Sequence, residues 1–336
     1  MMKRVFSVMK TEILLVEPMM PEIEAILDAT YIVHRYDGSI IPPDVAARIH
    51  GIATGGGTGV PNQLMQSLSN LEVIAINGVG TDAVDLKEAA RRNIGVTTTL
   101  NVLTDDVADL AMALMLAAMR DLVPGDQFVR DHQWGVGQLP LARKVTGQKL
   151  GIVGMGQVGQ AIARRARGFD MPVSYYSRHD LSLPEAPFVP DLRALAEQSD
   201  ILVVSASGGA QSRHLISRDV MEALGPYGLL VNISRGSVVD EHALVELLEQ
   251  GKLGKAALDV FESEPTVPEA LLTMKNVVLQ PHRASATVET RLQMGRLVIA
   301  NLAAHFAGAP LLTPVQKLCV GQAEALFRPE QCFAPR

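Results

Sequence analysis

Cysteine is scarce in this chain. Only Cys319 and Cys332 occur among 336 residues, and neither stands in a metal-type spacing. A disulfide framework and a cysteine-ligated metal site are therefore not expected, and a reducing compartment is. Aromatic residues make up 4% of the chain, there is no basic run, and the net charge is −6. Without a basic patch interleaved with aromatics, nucleic acid is not an expected partner. Long apolar runs are missing too. The most apolar stretch, around 110–119, is too short to span a bilayer and follows Asp105, Asp106 and Asp109. The first ten residues carry Lys3, Arg4 and Lys10 but no apolar region long enough for a signal peptide. These absences predict a soluble, cytoplasmic protein with no membrane segment and no metal centre.

What the chain does have is apolar residues, 48% of the total against 20% charged, enough to bury the cores of two packed domains. From Thr11 onward short apolar runs alternate with helical patterns. Strands are expected over 13–16, 31–35, 51–54, 71–76 and 95–99, with helices over 21–29, 43–49 and 85–92 between them. Strands that alternate with helices imply a parallel sheet covered on both faces. A long helix is expected over 101–120, with Thr104, Asp105 and Asp106 as its cap and first-turn acids. It is apolar on more than one face, which fits either burial in a core or contact with another domain or a second subunit. Further strands are expected over 172–176, 201–205, 229–233, 256–259 and 277–280. Helices are expected over 192–198 and 241–250, and a closing helix over 287–306. The expected organisation is α/β throughout. One doubly wound parallel-sheet domain comprises 11–100 and 287–315, a second comprises 101–286, and 316–336 form an extension.

The second domain contains Lys149-Leu-Gly-Ile-Val-Gly-Met-Gly-Gln-Val-Gly159. Gly154, Gly156 and Gly159 hold the G-x-G-x-x-G spacing in the strand-turn-helix context that gives it meaning. The first glycine permits the turn, the second lets backbone approach a pyrophosphate, and the third lets helix pack against strand. The helix start then offers N–H groups and a positive dipole end to phosphates. An NAD site usually puts an acid at the end of the next strand to hold the ribose 2′-OH. Here that place holds Ser177 and Arg178, followed by His179 and Asp180. A guanidinium can pair with a 2′-phosphate that an acid would repel. NADP(H) is therefore the preferred cofactor, with NAD(H) possible if Arg178 is only solvated and Asp180 serves the ribose.

Three strand ends of this domain deliver polar groups. Arg235 lies in Asn232-Ile-Ser-Arg-Gly236, Glu264 in Asp259-Val-Phe-Glu-Ser-Glu-Pro265, and His282 in Gln280-Pro-His-Arg-Ala284. Parallel strands share one carboxyl edge, so the three can converge there. Reduction of a 2-keto acid needs a hydride, a proton for the developing alkoxide and a clamp for the carboxylate. A histidine, whose unperturbed pKa is about 6.5, is a natural acid. A carboxylate beside it favours the imidazolium, and an arginine can hold the substrate in two-pronged fashion. Each residue also has a bland reading as packing or surface; their conjunction carries the argument. Two further glycine-rich turns end first-domain strands, Gly55-Gly-Gly-Thr-Gly59 and Asn77-Gly-Val-Gly-Thr-Asp82. The first lacks the G-K-[ST] ending of a Walker loop, and both can be flexible loops or anion-binding backbone.

From about Glu12 to Val315 the chain resembles the D-2-hydroxyacid dehydrogenase family, in particular its glyoxylate/hydroxypyruvate and hydroxyphenylpyruvate reductase branch. The resemblance rests on the motifs quoted above together with Asn101-Val-Leu-Thr-Asp-Asp-Val-Ala-Asp109 and Tyr176-Ser-Arg178. It implies a Rossmann dinucleotide-binding domain and a flavodoxin-like substrate domain. It implies Arg235 as the substrate-binding arginine, His282 as proton donor and Glu264 as its partner. Substrate contacts follow at Gly55, Gly56, Val79 and Gly80. Cofactor contacts follow at Thr104, Gln157, Val158, Ser177, Arg178, Ile233 and Asp259, beside the three glycines. It also implies a homodimer with the 101–120 region in the interface. Two departures stand out: Ser205-Ala-Ser-Gly-Gly-Ala210 replaces a proline-containing loop, and Arg283 follows the histidine. The expected reaction is NADPH-preferring reduction of glyoxylate or hydroxypyruvate to the D-2-hydroxy acid. A bulkier 2-keto acid, such as hydroxyphenylpyruvate or 2-ketogluconate, is an alternative, as is a dinucleotide-sensing interaction protein of the same fold.

Overall fold

The computed structural model describes residues 10–315, so the leader and the expected extension with its two cysteines lie outside the described residues. The chain forms two compact units. One runs to Leu100 and resumes at Arg291; the other is Asn101–Thr290.

The first unit alternates β1 (Glu12–Leu15), α1 (Pro21–Thr30), β2 (Ile32–Arg35), α2 (Pro43–Ala46), β3 (Ile49–Gly55), α3 (Asn62–Ser67), β4 (Val73–Asn77), α4 (Leu86–Arg91) and β5 (Gly95–Thr97). The strands are all parallel in the order β2-β1-β3-β4-β5, the flavodoxin-like arrangement. Side chains alternate between the two covered faces of the sheet, which explains why β1, β3 and β4 are buried at nearly every position, while the edge strand β2 is not. Leu14, Ile52, Ile74 and Ile76 enter one core with Met65 and Leu68. Ile13, Leu15, Ala53, Val73 and Ala75 enter the other with Ile23, Leu27, Val298 and Leu302. Each fully buried Ile or Leu is worth about 1.5–3 kcal/mol of transfer free energy. The helix expected over 43–49 stops at Ala46, because Ile49 is fully buried as the first residue of β3.

The second unit holds α5 (Thr104–Met119), α6 (Leu122–Arg130), β6 (Leu150–Val153), α7 (Gln157–Ala166), β7 (Val173–Tyr176), α8 (Leu192–Glu197) and β8 (Ile201–Val204). It continues through α9 (Arg218–Leu224), β9 (Leu229–Asn232), α10 (Glu241–Glu249), β10 (Lys255–Leu258), α11 (Glu269–Thr273) and β11 (Val277–Leu279). The last helix, α12 (Val288–Phe306), contains the division between the units. The six strands are parallel in the order β11-β10-β9-β8-β6-β7. Outside β7 a single parallel bridge joins Tyr175 to Phe188. Tyr175 N–H donates to Pro187 O at 3.0 Å and Val189 N–H to Tyr175 O at 2.8 Å. Counting that bridge as the third strand gives the Rossmann order 3-2-1-4-5-6 plus one strand. Pro184, Pro187 and Pro190 lack N–H donors, so the segment cannot build a longer ladder.

One expectation for α5 is corrected. The helix starts at Thr104, its N-cap is Leu103, and no side chain caps it. Asn101 sits at φ +70°, a left-handed turn before the helix rather than part of it. Its apolar faces are accounted for within the unit: Val107, Ala108, Ala111, Met112, Leu114 and Met115 pack with β6, β9 and α7 residues. α6, by contrast, buries no residue.

Candidate functional site

At the end of β6 the chain turns through Gly154 at φ +98°, a conformation that favours glycine. A Cβ there would meet the Ala206 backbone N at 2.6 Å. A Cβ on Gly159 would strike the Gly154 carbonyl, so helix α7 can pack on the turn only with glycine at that position. Gly156 is different. A Cβ on it would meet nothing within 4 Å; it is exposed and serves as N-cap of α7 without a side-chain cap. The first N–H groups of α7 are therefore uncapped by any side chain, on a strand flanked by β7 and β8 where the strand order reverses. Close backbone approach over Gly156, uncapped donors and the helix dipole fit the pyrophosphate of a dinucleotide. Gln157 reaches back from α7 to Asn101 and, at 3.5 Å, to the Thr104 hydroxyl, so Thr104 and Gln157 are brought together. Val158 packs against the core. The departing loop 205–210 is tied to the glycine turn and to the segment after it: Ser205 Oγ donates to Gly154 O at 2.7 Å, and Ser212 Oγ to Ser207 O at 2.7 Å.

The end of β7 presents Ser177, half-buried, and Arg178, exposed. Ser177 Oγ donates to the His179 carbonyl. Asp180 Oδ1 accepts from the buried Tyr175 hydroxyl at 2.8 Å and from Ser182 N–H at 2.7 Å. The Ser182 N–H and the Tyr175 hydroxyl hold this carboxyl below the usual range. Asp180 is thus engaged with its own loop and with the core tyrosine.

Arg235 owes its placement to Asn232. The Asn232 side chain, 1% exposed, accepts from Ser234 N–H (3.1 Å) and Ser234 Oγ (2.9 Å) and donates to Arg235 O (3.0 Å). This side-chain turn closes the segment after β9. Gly236 then lies against the Phe261–Glu262 backbone, with no room for a Cβ. Glu241, opening α10, accepts from Glu262 N–H at 3.0 Å. Burial raises the Glu241 carboxyl, the Glu262 N–H opposes this, and the Glu262 and Glu264 charges add to the rise. The segments carrying Arg235 and Glu264 are therefore fastened to each other.

His282 lies at φ +52°, where a residue with a Cβ is strained by roughly 1–2 kcal/mol. Three backbone donors hold it. His282 N–H donates to Asp259 O at 2.8 Å, and the N–H groups of Arg283 and Ala284 donate to the two Asp259 carboxylate oxygens at 2.7 and 2.9 Å. Asp259 is fully buried; burial raises its carboxyl, against the lowering effect of those N–H groups. The geometry gives Asp259 the task of fixing the histidine turn. His282 Nδ1 meets Glu264 Oε2 at 2.7 Å, and Glu264 Oε1 accepts from Phe261 N–H at 3.0 Å. Burial alone would raise the Glu264 carboxyl. The bonds from His282 and Phe261, with the charges of His282 and Arg235, outweigh it and leave the carboxyl below the ordinary range. Ionised Glu264 can only accept, so the proton stays on Nδ1 as the donor of this bond and Nε2 is the nitrogen left for other chemistry. Ile233, 6% exposed, precedes this cluster on the β9 side.

In the first unit, Gly55 and Asn77 pair at the ends of the neighbouring strands β3 and β4. Their glycine turns meet backbone to backbone: a Cβ on Gly78 would lie 3.0 Å from Gly56 Cα, and one on Gly56 would lie 3.5 Å from Gly80 O. Thr54 Oγ1 donates to Gly59 O at 2.5 Å, closing the first turn from inside. Val79 is 38% exposed. Glu17 and Glu241 carry no sequence signal, and Asn232 and Ser205 stand in the quoted motifs without a role of their own. Only Asn232, as the Asn of an Asn-x-Ser turn, carried a local signal. Among the described residues no group of three metal-type side chains forms, and no helix is long and apolar enough to cross a membrane.

Comparison with known proteins identifies the family. Residues 112–284 match the family described as D-isomer specific 2-hydroxyacid dehydrogenase, NAD binding domain. A 2-ketogluconate reductase of Gluconobacter oxydans is 49% identical over 91% of this chain and 99% of its own length. Glyoxylate/hydroxypyruvate reductase A of Arabidopsis thaliana is 47% identical over 80% of this chain and 85% of its own. Among solved structures, the NADPH-dependent glyoxylate/hydroxypyruvate reductase of Sinorhizobium meliloti, in complex with NADP and malonate, has a TM-score of 0.87 at 40% identity. That likeness covers 92% of this chain and 97% of the other. With a dinucleotide turn, two parallel-sheet units and relatives matched over nearly their whole length, the chain belongs to the D-isomer specific 2-hydroxyacid dehydrogenases, oxidoreductases with a nicotinamide dinucleotide-binding Rossmann domain.

Proposed function

We propose that this protein reduces small 2-keto acids, glyoxylate and hydroxypyruvate first, to D-2-hydroxy acids with NADPH preferred over NADH. The observation that carries the reading is the Glu264–His282 pair, at 2.7 Å through Nδ1, on the same sheet edge as the glycine turn. A bound nicotinamide dinucleotide supplies the hydride. His282 delivers a proton from Nε2 to the oxygen of the former keto group, and Glu264 stabilises the imidazolium before that transfer. Arg235 binds the substrate carboxylate and polarises the keto oxygen. Asp259 keeps the histidine turn in its strained form. The Val79–Gly80 backbone and the Gly55–Gly56 turn of the first unit, the substrate domain in this reading, add N–H contacts to the substrate carboxylate. In the second unit, Thr104, Gly154, Gly156, Gln157, Val158, Gly159, Ile233 and Asp259 hold the dinucleotide, with Ser177 and Arg178 on the 2′-phosphate. NADPH preference is supported by the guanidinium at that strand end and by the prior engagement of Asp180. The likeness to a 2-ketogluconate reductase favours a longer keto acid as second substrate.

The test is a set of initial rates with NADPH and NADH against glyoxylate, hydroxypyruvate, 2-ketogluconate and hydroxyphenylpyruvate. Fast NADPH oxidation with the two smallest acids is expected. Absence of turnover with every acid would overturn the reading.

We also propose a homodimer. Its support is the apolar surface of α6 and the segment after it: Leu122 is 56% exposed, Trp134 81% and Leu141 99%. Large apolar side chains left this exposed on one helix and the segment that follows it support an association site there. Sedimentation equilibrium at micromolar concentration is expected to give twice the chain mass; a monomer would contradict the proposal.

A further inference from the structure

Glu17 lies at the carboxyl end of β1, beside the Gly55 turn of the neighbouring strand. Leu15 pairs with Ala53, and Val16 N–H donates to Ala53 O at 2.9 Å, so the chain leaves the sheet at Glu17 alongside Gly55. The contact is close. A Cβ on Gly55 would fall onto the Glu17 carboxylate, so glycine at position 55 is what makes room for the acid. Thr58, three residues further along the same turn, donates its hydroxyl to Glu17 Oε2. The carboxylate is therefore held over the turn from two sides, by its own strand and by Thr58.

What it lacks is a cation. Glu17 is half-buried, and among the described residues no Lys, Arg or His pairs with it; its one bond is from a neutral hydroxyl. An ionised carboxylate offers about four acceptor positions, so most of its capacity is unused. A half-buried charge with one neutral donor gains from any further donor brought to it. The turn it rests on is the one given substrate contacts above, and the present inference rests on that reading.

We propose that Glu17 is a specificity-determining residue that accepts hydrogen bonds from hydroxyl groups on the substrate tail, beyond the keto carbon. The favoured class is then 2-keto acids hydroxylated at C3 and further along, such as hydroxypyruvate and 2-keto sugar acids. A second carboxylate on the tail is repelled by the fixed charge, and an aryl tail brings no donor to it.

Glu17→Gln tests this, because it keeps the shape and one acceptor and removes the charge. The quantity read is the ratio of kcat/KM values for two substrates measured on one preparation, so a loss of folded enzyme cancels. In Glu17→Gln the ratio of 2-ketogluconate to glyoxylate is expected to fall about tenfold, the effect of losing a charge-assisted bond. The ratio of 2-oxoglutarate to glyoxylate is expected to rise by about the same factor as the repulsion disappears. Thr58→Val, which frees the carboxylate from the turn, should move both ratios the same way by less. Unchanged ratios in Glu17→Gln overturn the inference, as does a wild-type preference for 2-oxoglutarate over hydroxypyruvate. No turnover of any 2-keto acid by the wild type instead overturns the functional reading beneath it.

Discussion

Replacing Glu264 by Gln removes the charge beside the proton donor. Glu264 now accepts the Phe261 N–H at Oε1 (3.0 Å) and meets His282 Nδ1 at Oε2 (2.7 Å). Gln keeps a single acceptor oxygen, so the charge and one of these two acceptors are lost. Hydrogen bonds to charged groups are worth about 1.5–3 kcal/mol and neutral ones about 0.5–1.5. Both side chains are about a third exposed, 36% and 34%, so solvent screening keeps the difference near the lower end. A loss of about 1.4 kcal/mol is a factor of ten in the imidazolium population. The sign follows from the reaction. Reduction needs the protonated histidine, and a neutral neighbour favours the imidazolium less, so the fall in rate at high pH arrives earlier. The expected result is a kcat/KM–pH profile for hydroxypyruvate reduction displaced about one unit towards acid in Glu264→Gln. Near pH 8 the loss is about tenfold, and it shrinks as the pH is lowered. In the wild type Glu264 stays ionised below the ordinary carboxylate range, so its own protonation does not limit the rate above about pH 4.3. A uniform loss at every pH, with the profile in place, would refute the reasoning.

Two further outcomes follow from the geometry. Arg178→Ala should raise the KM for NADPH about 10- to 100-fold, as expected for loss of a charge-assisted phosphate contact, and leave that for NADH nearly as it was; equal effects on both cofactors would remove the phosphate role. His50 Nδ1 and His305 Nε2 bind Glu72 at 2.8 and 3.0 Å, tying α12 to the sheet of the first unit. Burial opposes ionisation of Glu72, but these two bonds hold its carboxyl below the usual range. A carboxyl depressed on folding stabilises above its unfolded pKa, and that stabilisation is lost as pH falls through the folded value. Glu72→Gln should therefore lower Tm by about 2 °C at pH 6, the scale of exposed pairs, and the gap should close below about pH 4. A gap that persists at pH 3 would show that the carboxylate charge is not its cause.

The parts legible in the sequence are those where backbone chemistry leaves little choice. Gly154 and Gly159 are required by a left-handed turn and by a close approach, so the residue type itself announces the turn. Strand ends placed Arg235, Glu264 and His282 on one edge, because all parallel strands finish on the same side. The cap of α5 was misread since Thr104 looks like a capping residue, while its hydroxyl in fact faces Gln157. The resemblance implies Asp259 as a cofactor contact; its oxygens also accept from the N–H groups of a turn more than twenty residues later, a task that its place in the sequence does not show. Glu17 and Glu241 were invisible for the same reason. Each acts on a segment that only the sheet order, or a glycine packed against a remote backbone, brings beside it.

The most direct test of the account compares wild type and His282→Gln in the NADPH-driven reduction of hydroxypyruvate, with the product's chirality determined. The wild type should form D-glycerate, and the variant should lose about 10²–10⁴ in kcat, the range of general acid catalysis. Near-normal turnover by the variant, or formation of the L-acid by the wild type, would contradict it.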